Sequence, residues 1–353
     1  MIPPDPEELV ERLVDATECY EFSTFLLGFG RPDDYHREAH EEVFRAVKIA
    51  TGEELLRRWR DRSIDFCRPD LRIDIRHDDT IDLVTAPLFF AARYRKLSRD
   101  IPSSRWIHHR CRGKGCDSCS WTGTLCGPSV QELVAGPILR RTDAEETFLH
   151  GLGREDTDAR MLGTGRPFIL EVKRPKRRSV DLREWEREVR REARGLAEIA
   201  CAATATRPDV TLLKEEPADK TYRAWIDLDG KAPADAADRV ERLAGRMIRQ
   251  LSPTRVKHRR GETVVREKSV VSSLWLGRVG DAYVWEVRTS SGTYIKELVS
   301  GDDGRTRPSV AELLGVPARC RLLDVLEIHW TPPWENKVQD SEAQESEAQR
   351  CRS

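Results

Sequence analysis

The amino-acid sequence predicts an α+β fold for this chain of 353 residues. Beyond residue 129, segments with the two-residue alternation of strands are interspersed with segments that have the helical period. Two strand-like segments also flank a glycine-containing turn, which is typical of a β-hairpin. Helices between hairpin-paired strands indicate an α+β domain and not a parallel, doubly wound sheet. The length of the chain favours two domains.

The composition limits the class of protein. Charged residues make up 34% and hydrophobic residues 39% of the chain, which is enough apolar material for ordinary cores beneath a strongly charged surface. The net charge is -1, so any attraction to nucleic acid must come from local basic patches. The sequence has no signal peptide, transit peptide or long apolar run, and we therefore expect a cytoplasmic protein without membrane segments.

The first third of the chain predicts a small α/β unit. Asp5 is a suitable N-cap for a first helix, residues 35–61 have the pattern of a second helix, and residues 66–71 and 80–90 are strand-like. A basic run follows, with cations suited to phosphate contacts and an aromatic ring suited to base stacking: Arg93, Tyr94, Arg95 and Lys96. A solvated surface is the alternative interpretation of this run.

Residues 106–128 predict a zinc knuckle. A His-x2-Cys pair is followed by a Cys-x2-Cys pair, and together they supply four ligands, namely His108, Cys111, Cys116 and Cys119. Four nitrogen and sulfur ligands suit tetrahedral Zn²⁺ and leave no position for water, so the site would be structural. His109 or Cys126 could replace His108 as the fourth ligand, and a knuckle with free thiols is the alternative interpretation.

The elements beyond residue 129 define a second domain. Helices are predicted over 181–200 and 234–251, and strands over 222–228, 269–276 and 282–289. The last two strands flank the turn at 277–281 and predict the hairpin, and a short helix over 308–314 ends before Gly315. Glu, Gln, Ser and Ala dominate residues 335–353, which predicts a disordered tail and limits the domain to 129–334.

The loop at residues 153–168 has the most informative composition in the chain, because it combines acids, arginines and three glycines. A strand-like run over 168–172 follows, and after it comes a basic cluster that includes Lys176, Arg177 and Arg178. A second basic cluster includes Arg255, Arg259 and Arg260. A carboxylate in an arginine-lined loop, beside groups that bind phosphate, indicates chemistry on a polyanion, most simply RNA.

Other functional classes explain less of the sequence. A noncatalytic RNA-binding module would account for the basic clusters and the knuckle, but it gives no reason for the acidic glycine loop. An enzyme that modifies RNA by other chemistry, such as a methyltransferase, would be expected to carry Gly-x-Gly-x-x-Gly after a strand. A deaminase would carry His-x-Glu with Pro-Cys-x2-Cys. Neither pattern occurs in the sequence, so no dinucleotide cofactor is expected.

The loop resembles the catalytic signature of the archaeal-type tRNA pseudouridine synthases that modify uridines 54 and 55 of the TΨC loop. The matching segments are 153–168, 220–222, 255–260, 291–298, 305–309 and 313–315. The resemblance covers about residues 129–330 and implies a mixed, largely antiparallel sheet of the pseudouridine synthase fold with an active-site cleft across it. It also implies an RNA-binding accessory domain of the THUMP type over 1–105.

Two features of the chain depart from the pattern of these relatives. They usually begin with further Cys-x2-Cys pairs, so we expect the accessory domain to be N-terminally shortened. They also usually have cysteine at the position of His108. The expected partner is the TΨC arm of tRNA.

The resemblance implies an isomerase that needs no cofactor and uses an aspartate nucleophile. Asp156 is the residue at that position, and Lys296 resembles the basic residue that pairs with it. Nearby positive charge from Arg154 and Lys296 would favour the ionised carboxylate. Asp158 and Glu155 are the competing interpretations for the reactive acid.

The resemblance also assigns the pocket for the target base. Tyr222 would stack on the uracil, and Tyr294 and Ile295 would line the same pocket. A sheet-filling role for Tyr222 and a core role for Ile295 are the alternatives. Because the uridine belongs to a folded loop, it must be extruded before a carboxylate can reach it.

Overall fold

The structure is a computed structural model that describes residues 5–29, 38–76, 80–255 and 264–335. The chain divides into two compact units. Unit 1 is formed by Met1–Phe89, Ala135–Phe148 and Leu170–Asp181. Unit 2 is formed by Phe90–Val134, Leu149–Ile169 and Leu182–Ser353.

The N-terminal segment of unit 1 contains two helices and a four-stranded sheet among its described residues. Its elements are α1 Pro6–Thr17, β1 Thr24–Phe29, α2 Glu38–Arg58, β2 Ser63–Ile64, β3 Leu71–Ile75 and β4 Ile81–Thr85. The sheet order is β2-β1-β3-β4, with β1 parallel to both β2 and β3. The Asp5 carboxylate accepts a hydrogen bond from the backbone N–H of Glu7, which confirms the predicted N-cap. Leu9, Phe25 and Trp59 belong to the core.

The strand boundaries in this region differ from the prediction. Residues 66–70 are not a strand, because the Asp65 carboxylate accepts hydrogen bonds from the backbone N–H groups of Cys67 and Arg68 and so forms a turn. The segment 80–90 contains parts of two strands and not one, because Pro87 has no N–H for a sheet ladder.

Unit 2 is built on a ten-stranded sheet. Its strands are β5 Leu88–Lys96, β6 Glu146–Gly151, β7 Ala159–Lys173, β8 Ala197–Thr204, β9 Lys220–Leu228, β10 Met247–Leu251, β11 Val265–Val279, β12 Ala282–Thr289, β13 Thr306–Arg307 and β14 Ala318–Ile328. The order is β13-β10-β11-β12-β9-β14-β7-β5-β8, and β6 pairs with β7. Strands β7 and β14 are parallel, whereas β9–β12, β11–β12 and β9–β14 are antiparallel. The predicted mixed sheet and the β11–β12 hairpin are confirmed.

The remaining helices are α3 Val130–Thr142, α4 Leu182–Glu192, α5 Arg207–Glu215, α6 Ala236–Glu241, α7 Ile295–Ser300 and α8 Val310–Leu314. The helices predicted over 181–200 and 234–251 are shorter than expected. Gly195 and Gly245 both have left-handed backbone torsions, with φ of +80° and +75°. The chain turns there and enters β8 and β10. Gly315 caps α8 in the left-handed conformation, as predicted.

Residues 90–105, which the sequence places in the accessory domain, fall in unit 2. The functional domain limits at residues 105 and 129 stay a prediction. Of the predicted tail, 336–353 lies outside the described residues. No helix within the described part of the chain combines the length and the apolar composition required to cross a membrane.

Candidate active site

A cavity of about 380 Å³ in unit 2 brings the predicted catalytic residues together. Its lining includes all six side chains assigned to catalysis and substrate binding, namely Arg154, Asp156, Tyr222, Tyr294, Ile295 and Lys296. Four further charged residues line the same cavity without having been assigned to it: Glu155, Arg166, Lys220 and Arg255. The lining residues come from strands β7, β9 and β14, from the loop before β7 and from residues 292–296 at the start of α7, and Arg255 completes the lining.

The backbone of the Asp156 loop is anchored by a buried lysine. The Lys96 ammonium is 0% exposed and donates hydrogen bonds to the carbonyl oxygens of Thr157, at 2.6 Å, and Ile101, at 3.0 Å, with that of Asp156 at 3.4 Å. Burial lowers the pKa of Lys96 to about 8. The predicted RNA contact of Lys96 is therefore wrong, because its ammonium group is buried and bonds carbonyl oxygens within the protein.

Glu155 belongs to a largely buried polar network at the wall of the cavity. Its carboxylate accepts a hydrogen bond from Arg166 Nε at 2.9 Å, and the two side chains are 1% and 2% exposed. The hydroxyl of Tyr94 donates to the same carboxylate at 3.0 Å. Tyr94 is itself 0% exposed, so it cannot stack on a base, which corrects its interpretation as an RNA contact. Burial, with the charge of Glu155, raises the pKa of Tyr94 well above its usual value.

The other two cations of the predicted basic run also have partners within the protein. Arg93 is buried and bonds the carboxylate of Glu335 and the carbonyl oxygens of Gly165 and Trp330. It is therefore a structural residue and not an RNA contact. Arg95 is exposed and pairs with Glu198. Sequence alone does not reveal these roles, because alternation along β5 leaves open which side chains a second layer will cover.

The Asp156 carboxylate lies between two cations. Arg255 Nη1 is 3.2 Å from Oδ1 and 3.1 Å from Oδ2, and Lys296 Nζ is 3.4 Å from Oδ2. Its side chain is 39% exposed, so it remains accessible from the cavity. Lys296 is closer to Asp158, at 2.7 Å. Burial opposes its charge, but the hydrogen bond with Asp158 and the charge of Asp156 outweigh burial and raise the pKa of Lys296.

The arginine beside this carboxylate is Arg255, a residue predicted from the sequence to bind RNA. Arg255, which the sequence places in a basic cluster, also donates from Nε to Glu297 at 2.7 Å and is thereby oriented toward Asp156. Burial opposes the charge of Arg255, but its hydrogen bond with Glu297 and the charge of Asp156 raise its pKa further. Arg154 lines the cavity, and its Nη1 donates to Ser104 Oγ at 3.0 Å.

The aromatic side chains of the cavity are held in different ways. Tyr222 lies on β9 and is 8% exposed, and burial raises its pKa to about 12, so the phenol stays neutral near pH 7. Tyr294 is half-buried, and its hydroxyl accepts a hydrogen bond from Arg266 at 3.3 Å. Gln250 bonds both the N–H and the C=O of Tyr294 at 3.0 Å, which fixes the start of α7. Ile295 is 3% exposed.

Lys220 is a cavity residue whose role the sequence does not specify beyond its match to the family motif. It is 7% exposed, and its Nζ donates to the carbonyl oxygen of Ala218 at 3.2 Å. Burial, with the nearby charge of Arg166, lowers the pKa of Lys220 to about 8. The signal that could have found it is the alternation of β9, since Lys220 is two residues from Tyr222 and shares its face.

A separate cluster in unit 2 gathers the four predicted metal ligands. The donor atoms of His108, Cys111, Cys116 and Cys119 all lie within 4.8 Å of one another. His108 Nδ1 is 3.4 Å from Cys111 Sγ and 3.7 Å from Cys116 Sγ, and the Cys119 thiol is 3.9 and 3.8 Å from the other two sulfurs. Ligands at tetrahedral angles around Zn²⁺ lie roughly 3.5–3.8 Å apart, so the cluster fits this ion.

The surroundings of the cluster also suit thiolate ligands. Burial raises the pKa of Cys119, but hydrogen bonds from the backbone N–H groups of Cys116 and Gly123 outweigh this effect and lower it to about 7. His108, and neither His109 nor Cys126, completes the cluster with the three thiols.

Three of the other predicted RNA contacts, Lys176, Arg177 and Arg178, belong to unit 1. Lys176 pairs with Asp143 at 3.0 Å, and Arg178 pairs with Asp70 at 3.1 Å. Burial lowers the pKa of Arg178. Arg177 is exposed. The other two predicted contacts, Arg259 and Arg260, lie outside the described residues.

Comparison with known proteins identifies the family. Residues 89–329 match the family described as Pus10, C-terminal. The chain is 41% identical over 324 residues to the tRNA pseudouridine synthase Pus10 of Methanothermobacter marburgensis, covering 87% of this chain and 79% of the relative. It is 36% identical to the protein of that name from Archaeoglobus fulgidus, covering 91% of each chain. A Cbf5-Nop10-Gar1 complex aligns at 20% identity over 57% of this chain and 46% of that one, with a TM-score of 0.36, too low to support an inference.

The matches define an isomerase of the pseudouridine synthase class. The chain belongs to the Pus10 family, because the family match spans most of the chain and the relatives are covered over most of their length.

Proposed function

We propose that Asp156 is the nucleophile with which this tRNA pseudouridine synthase converts uridine in the TΨC loop, at position 54, 55 or both. The accessible carboxylate between Arg255 and Lys296 is the observation that carries the proposal. Glu155 is 1% exposed and engaged with Arg166, whereas Asp158 is 63% exposed and is not part of the cavity lining. Of these three acids, Asp156 alone combines accessibility with a place in the cavity.

The reaction balances without a cofactor. The C1′–N1 glycosidic bond breaks and its electron pair goes to the uracil ring. The ring then turns, C5 forms a bond to C1′, the C5 proton leaves and N1 gains a proton. Asp156 forms a transient bond to the nucleotide through a carboxylate oxygen, which divides one difficult step into easier ones. This bond breaks again before the product leaves, and its electron pair returns to the carboxylate. Two cations, Arg255 and Lys296, contact this carboxylate and orient it in the cavity.

The cavity supports the binding of one extruded nucleotide. Its volume of about 380 Å³ lies in the range of small-molecule sites. Its lining carries five cations and two acids: Arg154, Arg166, Lys220, Arg255 and Lys296, with Glu155 and Asp156. The excess of positive charge favours the phosphates of the flipped uridine. Tyr222, neutral near pH 7, offers a ring face for the uracil.

The accessory part of the chain is proposed to bind RNA as a THUMP-type domain. Unit 1 has its own core and a four-stranded sheet flanked by two helices. Its exposed Arg177 is available for phosphate contacts, whereas Lys176 and Arg178 are already paired. These phosphate contacts would add affinity that does not depend on the nucleotide sequence of the RNA.

Position-specific labelling tests the proposed substrate. An unmodified tRNA transcript is incubated with the full chain, treated with carbodiimide and read by primer extension. Transcripts with cytidine at position 54, at position 55 or at both are the matched controls. The proposal predicts stops at one or both of these positions, each of which disappears with its own substitution. Stops only at other uridines, or no stops at all, would contradict it.

A further inference from the structure

Four large hydrophobic side chains are exposed around the metal-ligand cluster and have no part in the proposed chemistry. We define the knuckle surface by these residues, which are Trp106 at 40%, Ile107 at 54%, Trp121 at 72% and Leu125 at 51% exposure. They lie on both sides of the bridge between Ile107 and Thr124 that closes the knuckle. Apolar groups concentrated on one exposed segment indicate an interaction site more often than scattered ones do.

Trp121 is the most exposed of the four, and two hydrogen bonds hold its ring and its backbone. Its indole Nε1 donates to the Asp117 carboxylate at 3.1 Å, and its backbone N–H donates to the Cys116 carbonyl at 3.0 Å. A side chain at Gly115 would place its Cβ 2.8 Å from the Trp121 carbonyl oxygen, so the turn is tightly closed.

The backbone of Trp121 adopts a left-handed conformation, with φ of +62°. This conformation is unfavourable for a bulky residue, and such outliers cluster at functional sites. The chain therefore tolerates a strained turn that presents a fixed indole ring to solvent, which is unexpected for a residue that serves folding alone.

The charge of residues 105–127 favours a nucleic acid as the partner of the knuckle surface. Residues 105–127 carry four basic residues and one acidic residue, whereas the whole chain has a net charge of -1. Arg110, Arg112 and Lys114 are exposed beside the hydrophobic residues, and the acidic residue, Asp117, is engaged with the Trp121 indole. Aromatic rings among cations are the usual means of binding unpaired nucleotides. The core of a protein–protein interface is instead depleted of charged residues.

One hydrogen bond connects the wall of the cavity to the segment that leads into the knuckle surface. Arg154 lines the cavity and donates to Ser104 Oγ at 3.0 Å. Ser104 is two residues before Trp106, where the knuckle surface begins. This connection supports a single RNA that occupies the cavity with one nucleotide and the knuckle surface with another.

We propose that the knuckle surface binds an unpaired nucleotide of the substrate RNA by stacking its base on Trp121, with Arg112 and Lys114 contacting the adjoining phosphates. The identity of that RNA rests on the proposed function, but the stacking contact itself does not require catalysis. The surface acts in affinity and in the orientation of the RNA, and it contributes no group to the reaction.

Binding of an unmodified tRNA transcript to the full chain tests the contact. Trp121→Ala is expected to weaken the Kd about tenfold, which corresponds to about 1.4 kcal/mol and lies within the range for one stacked base. Trp121→Phe keeps a ring but no indole N–H and should restore most of the affinity. Leu212→Ala, which removes another exposed hydrophobic side chain of unit 2 with 40% exposure, is the control and should bind as the parent does. Unchanged affinity in Trp121→Ala, or equal weakening in Leu212→Ala, would overturn the proposal.

A second measurement uses the unsubstituted protein and does not depend on the folding of a variant. Transcripts with 5-iodouridine at single unpaired positions are photocrosslinked, and the attached peptide is identified by mass spectrometry. At least one position should crosslink to Trp121, and no crosslink to it from any unpaired position would overturn the proposal. Trp121→Ala should also weaken tRNA binding about tenfold when it is combined with Asp156→Asn. This double variant tests the knuckle surface independently of pseudouridine formation.

Discussion

The guanidinium of Arg255 approaches the Asp156 carboxylate to 3.1 Å, although the two residues are 99 positions apart in the chain. A second hydrogen bond, from Arg255 Nε to Glu297 at 2.7 Å, orients this guanidinium. Glu297 belongs to α7, the helix that also carries Lys296. The Arg255 side chain therefore bonds both Asp156, in the loop before β7, and Glu297, in α7.

Arg255→Lys should lower turnover more than RNA binding. Lysine keeps the charge but has no planar fork with which to bond Asp156 and Glu297 together. We expect a single-turnover rate roughly tenfold lower at saturating tRNA, with a Kd changed less than about threefold. A large loss of affinity with an unchanged rate would instead support the role in RNA binding that the sequence predicts for Arg255.

The contrast between Arg255 and Asp156 shows what the sequence can specify. Asp156, Tyr222, Tyr294 and Lys296 lie in short motifs, so the family resemblance alone assigns them to one cavity. The partner of each charge depends on long-range packing. The motifs therefore do not indicate that Arg255 reaches Asp156 while Arg154 donates to Ser104.

The same limit applies to the basic run and to element boundaries. A run rich in arginine and lysine is typical of a surface, yet Arg93, Tyr94 and Lys96 are buried and engaged with internal partners. Composition does not show which face of β5 will be covered. Helical periodicity likewise continues past Gly195 and Gly245, where a left-handed glycine ends each helical region and a strand begins.

Glu155→Gln should mainly lower the stability of the protein. The substitution removes one charge from a buried pair and leaves Arg166 without its carboxylate partner. We expect the free energy of unfolding to fall by roughly 3 kcal/mol. Asp158→Asn, at a site 63% exposed, is the control and should cost less than about 1 kcal/mol. Denaturant unfolding measures both, and equal stabilities would show that the network carries little stability.

The buried ammonium of Lys96 predicts a pH dependence of stability. Its pKa of about 8 lies below the usual 10.5, so between these values the unfolded chain binds more protons than the folded one. The free energy of unfolding contributed by this group therefore rises with pH in this window, by on the order of 3 kcal/mol. Denaturant titrations at several pH values measure this effect. The free energy of unfolding of the parent minus that of Lys96→Met should increase as the pH rises from about 8 to 10.5. A constant difference would contradict the expectation.

Metal analysis tests the cluster around His108. Purified protein should contain about one Zn²⁺ per chain. Cys116→Ser removes a ligand and should lower the zinc content strongly, whereas Cys126→Ser, outside the cluster, should leave it unchanged. Chelation should also lower the melting temperature, because metal binding and folding of such knuckles are coupled. Folded protein without zinc, or equal loss in both variants, would refute the assignment.

The role of Asp156 is tested most directly by single-turnover pseudouridine formation in Asp156→Asn, with Asp158→Asn as the neighbouring control. Both variants remove one negative charge near Lys296, but only the first alters an acid that lines the cavity. We predict a loss of roughly a thousandfold or more for Asp156→Asn and of less than about tenfold for Asp158→Asn, with tRNA binding retained in both. Near-normal turnover in Asp156→Asn, or a complete loss in Asp158→Asn alone, would contradict the assignment of the nucleophile.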